Sequence, residues 1–215
     1  MGRKLPPTTS EEIVRRRDEF FDVLSKESDR GLVLVSAAFL DEALESLLRA
    51  SFSIRHPKSK SFINPLFDTF GLLSSFSAKI TICYAMDLIG EWMYQDLKIV
   101  RDLRNKKFAH SVGVGRFDLP SIVQLTERLK AADLAATIMT KEKTSTKKPK
   151  KVKTTKKGRS KPSKADMERA RFEMSVSFIA ALLYALTRIL SIDVPLQVKE
   201  DFLETVRLAN KKIIG

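Results

Sequence analysis

The sequence predicts an all-α protein: a single helical-bundle domain of about six to seven helices that carries a disordered basic insert. Three observations predict it. Apolar residues recur at three- and four-residue spacing, and strand-like alternation is absent over any useful length. Apolar types make up 43% of the 215 residues, enough for a real core and too many for wholesale disorder. One tract, residues 141–164, breaks the pattern. It holds twelve Lys or Arg, one acid (Glu142), one apolar residue (Val152) and two prolines.

The elements follow in chain order. Thr9-Ser10-Glu11-Glu12 reads as a capping box opening a helix to about residue 26, with Ile13, Phe20, Phe21 and Leu24 on one face. Ser28 or Asp29 caps a second helix to about residue 52. Along it Val33, Ala37, Leu40, Leu44 and Leu47 form one stripe, and Leu32, Val35 and Phe39 form another. A helix apolar on two sides is buried on two sides, so this is the expected central helix. Asp41, Glu42 and Glu45 are expected on its watered face. Residues 53–73, rich in turn formers, read as an ordered loop with a short helical turn. Ser74 or Ser75 opens the next helix, with Gly90 expected as its left-handed C-terminal residue. Residues 91–108 form another helix. A weaker one is expected at about 120–139, then a long one at 165–190, and Pro195 opens the last, to about 210.

The formal charge is +13, but it is concentrated. The tract 141–164 supplies +11, while the remaining residues hold 27 basic and 25 acidic groups. With one apolar residue the tract cannot offset the entropy of ordering, so it is expected to be dispensable to the fold. Lys147, Lys148, Lys150, Lys151, Lys153, Lys156, Lys157 and Arg159 are its candidate nucleic-acid contacts, acting on phosphates without sequence preference. The longest uncharged apolar run is residues 174–187, too short for a membrane span of roughly 20 residues, and the N-terminus lacks the apolar core of a secretory signal. A single cysteine, Cys83, and two histidines, His56 and His110, leave no metal-ligand set. No phosphate-binding loop, dinucleotide fingerprint or zinc-protease motif is present. A cytoplasmic protein without cofactor, metal or membrane partner is expected.

Three blocks, residues 28–52, 65–89 and 94–111, resemble the mannitol operon repressor family of bacterial transcription regulators in order and spacing. The resemblance covers about residues 20–112 and fades after Phe117. It implies an all-helical fold and a role in regulating sugar-alcohol operons. The family lacks an obvious helix-turn-helix, and none is evident here. The basic insert and the final helices depart from the pattern.

The third block also resembles the HEPN superfamily, whose signature is an Arg, a polar residue, and a His four to six residues after the Arg. Here these are Arg104, Asn105 and His110. In catalytically active members such a pair cleaves RNA at a dimer interface. On an ideal wheel of about 100° per residue, Arg104 falls on the arc of Met93, Leu97 and Val100, and His110 lies about 120° away from it. An Arg on an apolar arc must pair, reach past the core or line a cleft. One expectation pairs Arg104 with a buried acid such as Asp96, Glu42 or Asp41, with His110 at the helix end. A second ends the helix before Arg104, which would void the wheel, and a third makes Arg104 catalytic. The ribose 2′-hydroxyl would then be the nucleophile, His110 the general base or acid, Arg104 the stabiliser of phosphorane charge and Asn105 the orienting group.

The first functional reading is therefore a non-catalytic regulator acting through protein contacts or weak nucleic-acid contacts. The second is a HEPN-like, metal-independent ribonuclease of toxin or defence type. A third is an all-α scaffold whose insert alone meets nucleic acid. The expected partners are a second copy in a homodimer, and either a regulatory protein or nucleic acid.

Overall fold

A computed structural model describes residues 22–55, 60–109, 115–145, 161–192 and 194–212. Among them are eight α-helices, one π-helical segment and no strand. The order is α1 (Asp29–Arg55), α2 (Lys60–Leu66), α3 (Phe76–Ala85), α4 (Glu91–Asp102), π1 (Leu103–Ala109), α5 (Pro120–Thr126), α6 (Lys130–Ser145), α7 (Lys164–Ser191) and α8 (Leu196–Lys212). Residues 22–26 are also helical, while the Thr9 capping box lies outside the described residues.

Two helices of 27 and 28 residues, α1 and α7, form the axis of the bundle, each roughly 40 Å long. Both stripes of α1 are buried or half-buried: Val33, Ala37, Leu40, Leu44 and Leu47 are buried, as is Leu32 of the second stripe, whose Val35 and Phe39 are half-buried. From α7 come Phe172, Val176, Ile179 and Leu183, all fully buried. Around this pair, α3, π1 and α2 pack on α1, while α6 and α5 pack on α7. Allowing two charges in the window, α7 is the one described helix long and apolar enough to cross a membrane. In the fold its Phe172, Val176, Ile179, Leu183 and Leu190 are buried in the core, and much of the rest of the stretch is half-buried.

Ionic staples fix the ends. Arg169 of α7 donates to Asp29 Oδ1 at 2.7 Å and to the carbonyls of Leu24 and Glu27 at 3.2 and 2.8 Å. It thereby ties the helix that ends near residue 26 and the start of α1 to the long helix. Asp29 Oδ2 accepts from the Phe117 amide at 3.3 Å. Ser163 and Asp166 form a reciprocal capping box that starts α7.

Several boundaries differ from the sequence reading, each for a physical reason. The helical turn expected within the loop at 53–73 is the seven-residue helix α2, while α1 runs on to Arg55, past the expected end near residue 52. Gly90 is not a left-handed terminus: it is extended (φ −83°, ψ 168°) and caps the start of α4. The left-handed residue is Asp87, at φ 57°, a conformation Asp tolerates better than most residues. The single helix expected at 120–139 is two helices. The buried Asp96 carboxylate accepts from the amides of Lys130 and Ala131 at 3.1 and 2.8 Å, so a side chain from α4 starts α6. Arg171 closes the junction from the other side, donating to the carbonyls of Thr126 and Leu129 at 3.1 and 3.2 Å and to Asp133 at 2.8 Å. Finally, α6 runs to Ser145, so helix enters the first five residues of the basic tract.

Candidate functional site

The expected helix at 91–108 changes hand-hold part-way. After Asp102 the hydrogen bonding lengthens from i→i+4 to i→i+5, and Leu103–Ala109 is π-helical. Leu103 and Phe108, five residues apart, explain why. Both are fully buried, and only the wider turn brings residues five apart onto one face. The four residues between them, Arg104, Asn105, Lys106 and Lys107, are pushed to the outside: Asn105 and Lys106 are exposed, Arg104 and Lys107 half-buried. The ideal wheel that aligned Arg104 with Met93 therefore does not apply beyond Asp102.

Below π1 the aromatic rings of Phe108, Phe117 and Phe172 form a ladder, with centroids 5.8 and 5.5 Å apart. Gly115 lies directly against it. A Cβ there would sit 2.6 Å from the Phe108 ring and 3.2 Å from the Lys107 carbonyl oxygen. The return of the chain onto π1 thus needs a residue without a side chain.

Arg104 and Lys107 make no hydrogen bond or ion pair among the described residues. The acids expected to pair with Arg104 are engaged elsewhere or lie in water. Asp96 caps α6, Asp41 faces Lys79, and Glu42 is exposed. Asn105 points to solvent, while His110 and all eight candidate cations of the tract, Lys147 to Arg159, lie outside the described residues. On the neighbouring turn, Arg101 donates to Ser77 Oγ at 2.9 Å and to Asp102 Oδ1 at 2.8 Å, and Lys106 reaches Asp102 Oδ2 at 3.0 Å. Burial pushes the Asp102 carboxyl up, but Arg101 and Lys106 outweigh it and hold the group below the usual carboxylate range.

Sequence reasoning missed a second ionic centre. Lys79, only 3% exposed, places its ammonium 3.0 Å from both Asp41 Oδ1 and Glu45 Oε2. Towards Asp41 the contact is an ion pair without hydrogen-bond geometry, and Glu45 takes the directed bond. Glu45 also accepts from Arg49 Nε at 2.9 Å. Arg49 in turn donates to Asn64 and lies 4.2 Å above the Phe67 ring. This chain of charges joins α1, α2 and α3. Asp41 and Glu45 are therefore not on a watered face. A signal was present, because Lys79 is the sole charge between Asp68 and Asp87.

The described residues hold no group of three His, Cys, Asp or Glu placed to bind a metal. Cys83 is buried, and burial drives its thiol far above the usual range, so it carries no nucleophile.

The family model for the mannitol repressor matches residues 17–191. The chain belongs to the mannitol repressor family. No curated protein and no solved structure matches it. The match corrects the expectation that the resemblance fades after Phe117. The mannitol repressor pattern continues through α5, α6, the interval 146–160 and the whole of α7, and only α8 falls beyond it. It thus spans both axial helices and π1.

Proposed function

We propose that the protein is a transcriptional regulator of the mannitol repressor type, working without a helix-turn-helix through protein contacts or weak nucleic-acid contacts. Its target on this reading is a sugar-alcohol operon. The family match across residues 17–191 carries the reading. The eight cations between Lys147 and Arg159 supply a sequence-independent attraction to phosphate. Transcription of sugar-alcohol transport genes with and without the chromosomal copy tests the role: loss of the protein should raise it. Unchanged transcription under every carbon source would overturn the reading.

One observation favours a second reading, a HEPN-like metal-independent ribonuclease. A half-buried arginine with no side-chain partner among the described residues sits on a π segment, and such segments recur at functional sites. Cleavage of single-stranded RNA in chelator, by wild type and by Arg104→Ala and His110→Ala, tests it. Since Arg104 has no side-chain partner among the described residues, its removal should leave the melting temperature nearly unchanged. Cleavage lost in both folded variants would support the nuclease, and an inactive wild type would dismiss it.

A further inference from the structure

Between Asp68 and Asp87 the chain carries one charge, Lys79, and that ammonium is turned inward onto Asp41 and Glu45. The outward side of this stretch is therefore neutral, on a chain of formal charge +13. It is also apolar. Phe70 is 100% exposed, Leu72 82%, and Phe62 on the adjoining α2 69%. Leu72 is itself one wall of an open groove of about 700 Å³, whose other walls include Phe52, Leu66, Ala78, Thr81 and Ile82, and Phe70 precedes it in the chain by two residues.

The loop presents Phe70 rigidly. Gly71 N donates to Asp68 O at 2.8 Å, Leu73 N to Leu66 O at 2.7 Å, and Ser74 N to Gly71 O at 3.1 Å. A Cβ on Gly71 would fall 2.3 Å from the Pro65 carbonyl oxygen and 2.4 Å from that of Leu66. Backbone packed this closely holds the neighbouring phenylalanine outward.

We propose that this face receives a second copy of the chain, two protomers meeting about a two-fold axis with Phe70 of each seated in the groove of the other. An isologous contact needs a projection and a recess on the same patch, and this patch has both. The face carries no net charge of its own, so no like-charge repulsion opposes a second copy of it across a two-fold axis. Charge-poor, aromatic-rich surface is also the composition of interface cores. The area is adequate. Phe62, Phe70 and Leu72, each contributing roughly 150 Å², supply over half of the roughly 800 Å² per partner of a standard interface, before the remaining groove walls are counted. The inference does not depend on the regulator or nuclease reading, because its test reads assembly alone.

The experiment is sedimentation velocity on the full chain across a concentration series, for wild type, Phe70→Glu and Thr81→Arg. Wild type should dimerise, and each substitution should raise the dissociation constant by at least about tenfold. Helical circular dichroism should stay unchanged, because both side chains are exposed in the single chain. An equimolar mixture of the two variants should dimerise again, since one junction is then wild type and the other pairs opposite charges. A wild type that stays monomeric throughout, or a dimer indifferent to both substitutions, overturns the proposal. Failure of the mixture to associate separates Phe70 from Thr81 across the interface and overturns the plug-in-groove geometry.

Discussion

Removing an ammonium from water costs several kcal/mol, and Lys79 meets that cost with two carboxylates, each 3.0 Å away. Lys79→Met should leave Asp41 and Glu45 facing an apolar stub, and lower the unfolding free energy by about 3–5 kcal/mol in urea titration. A loss under about 1 kcal/mol would mean that the two acids reach solvent when unpaired. Asp96 and Asp102, six residues apart, should respond to pH in opposite senses. Burial raises the Asp96 carboxyl, against the pull of the two amides it caps. Its favourable contribution is thus complete below the ordinary Asp value near 3.9 and declines as pH rises through the raised one. Asp102 is held low, so its contribution is present above the ordinary value and disappears as pH falls through the depressed one. The stability of wild type relative to Asp96→Asn should therefore fall with rising pH, and relative to Asp102→Asn should fall with acidification. Chemical denaturation at a series of pH values reads both slopes.

The π segment is the element on which the candidate site turns. Deleting Asn105 should bring Leu103 and Phe108 to a spacing of four, compatible with an ordinary helix that still buries both. The shortened chain should unfold cooperatively and lose whatever the four displaced polar residues contact. Gly115→Ala attacks the same place by overpacking. The added methyl must move the Phe108 ring, which is wedged against Phe117, at a cost of about 1–3 kcal/mol by thermal or urea melt. Elements like these mark the limit of what the sequence makes legible. Helices that carry their own start signals and stripes were readable: α1 with its two apolar faces, α3 with Ser75, and α7 over nearly its full length. Breaks imposed from a distance were not. The division between α5 and α6 depends on Asp96, 34 residues from Lys130, and no local pattern records it. The π segment left a trace, the five-residue spacing of two large apolar residues, which a wheel of fixed period reads as noise. In the candidate site, Arg104 and Asn105 were singled out by motif, but that no described residue pairs with Arg104 is a tertiary property no local pattern records. The Lys79 centre was lost because its acids, on a wheel, face away from the main stripe.

On the scale of the molecule, charge and fold should be separable. The eight cations of residues 147–159 lie between the end of α6 at Ser145 and the capping box at Ser163. Replacing all eight with Gln should leave the helical signal and melting temperature intact. It should also flatten the dependence of duplex-DNA affinity on salt, by up to about 7 in the log–log slope. An unchanged slope would show that nucleic acid is met elsewhere on the surface.

The axial pairing of α1 with α7 has a consequence during synthesis. Arg169 fastens onto residues about 140 positions earlier in the chain. At roughly 5–20 residues per second, α1 leaves the ribosome some 7–28 s before the helix that covers it. For that interval one of its two apolar stripes has no native cover, and the nascent chain is exposed to premature association. Slowed elongation between residues 60 and 160 should therefore lower the soluble yield while leaving the folded product as stable as before.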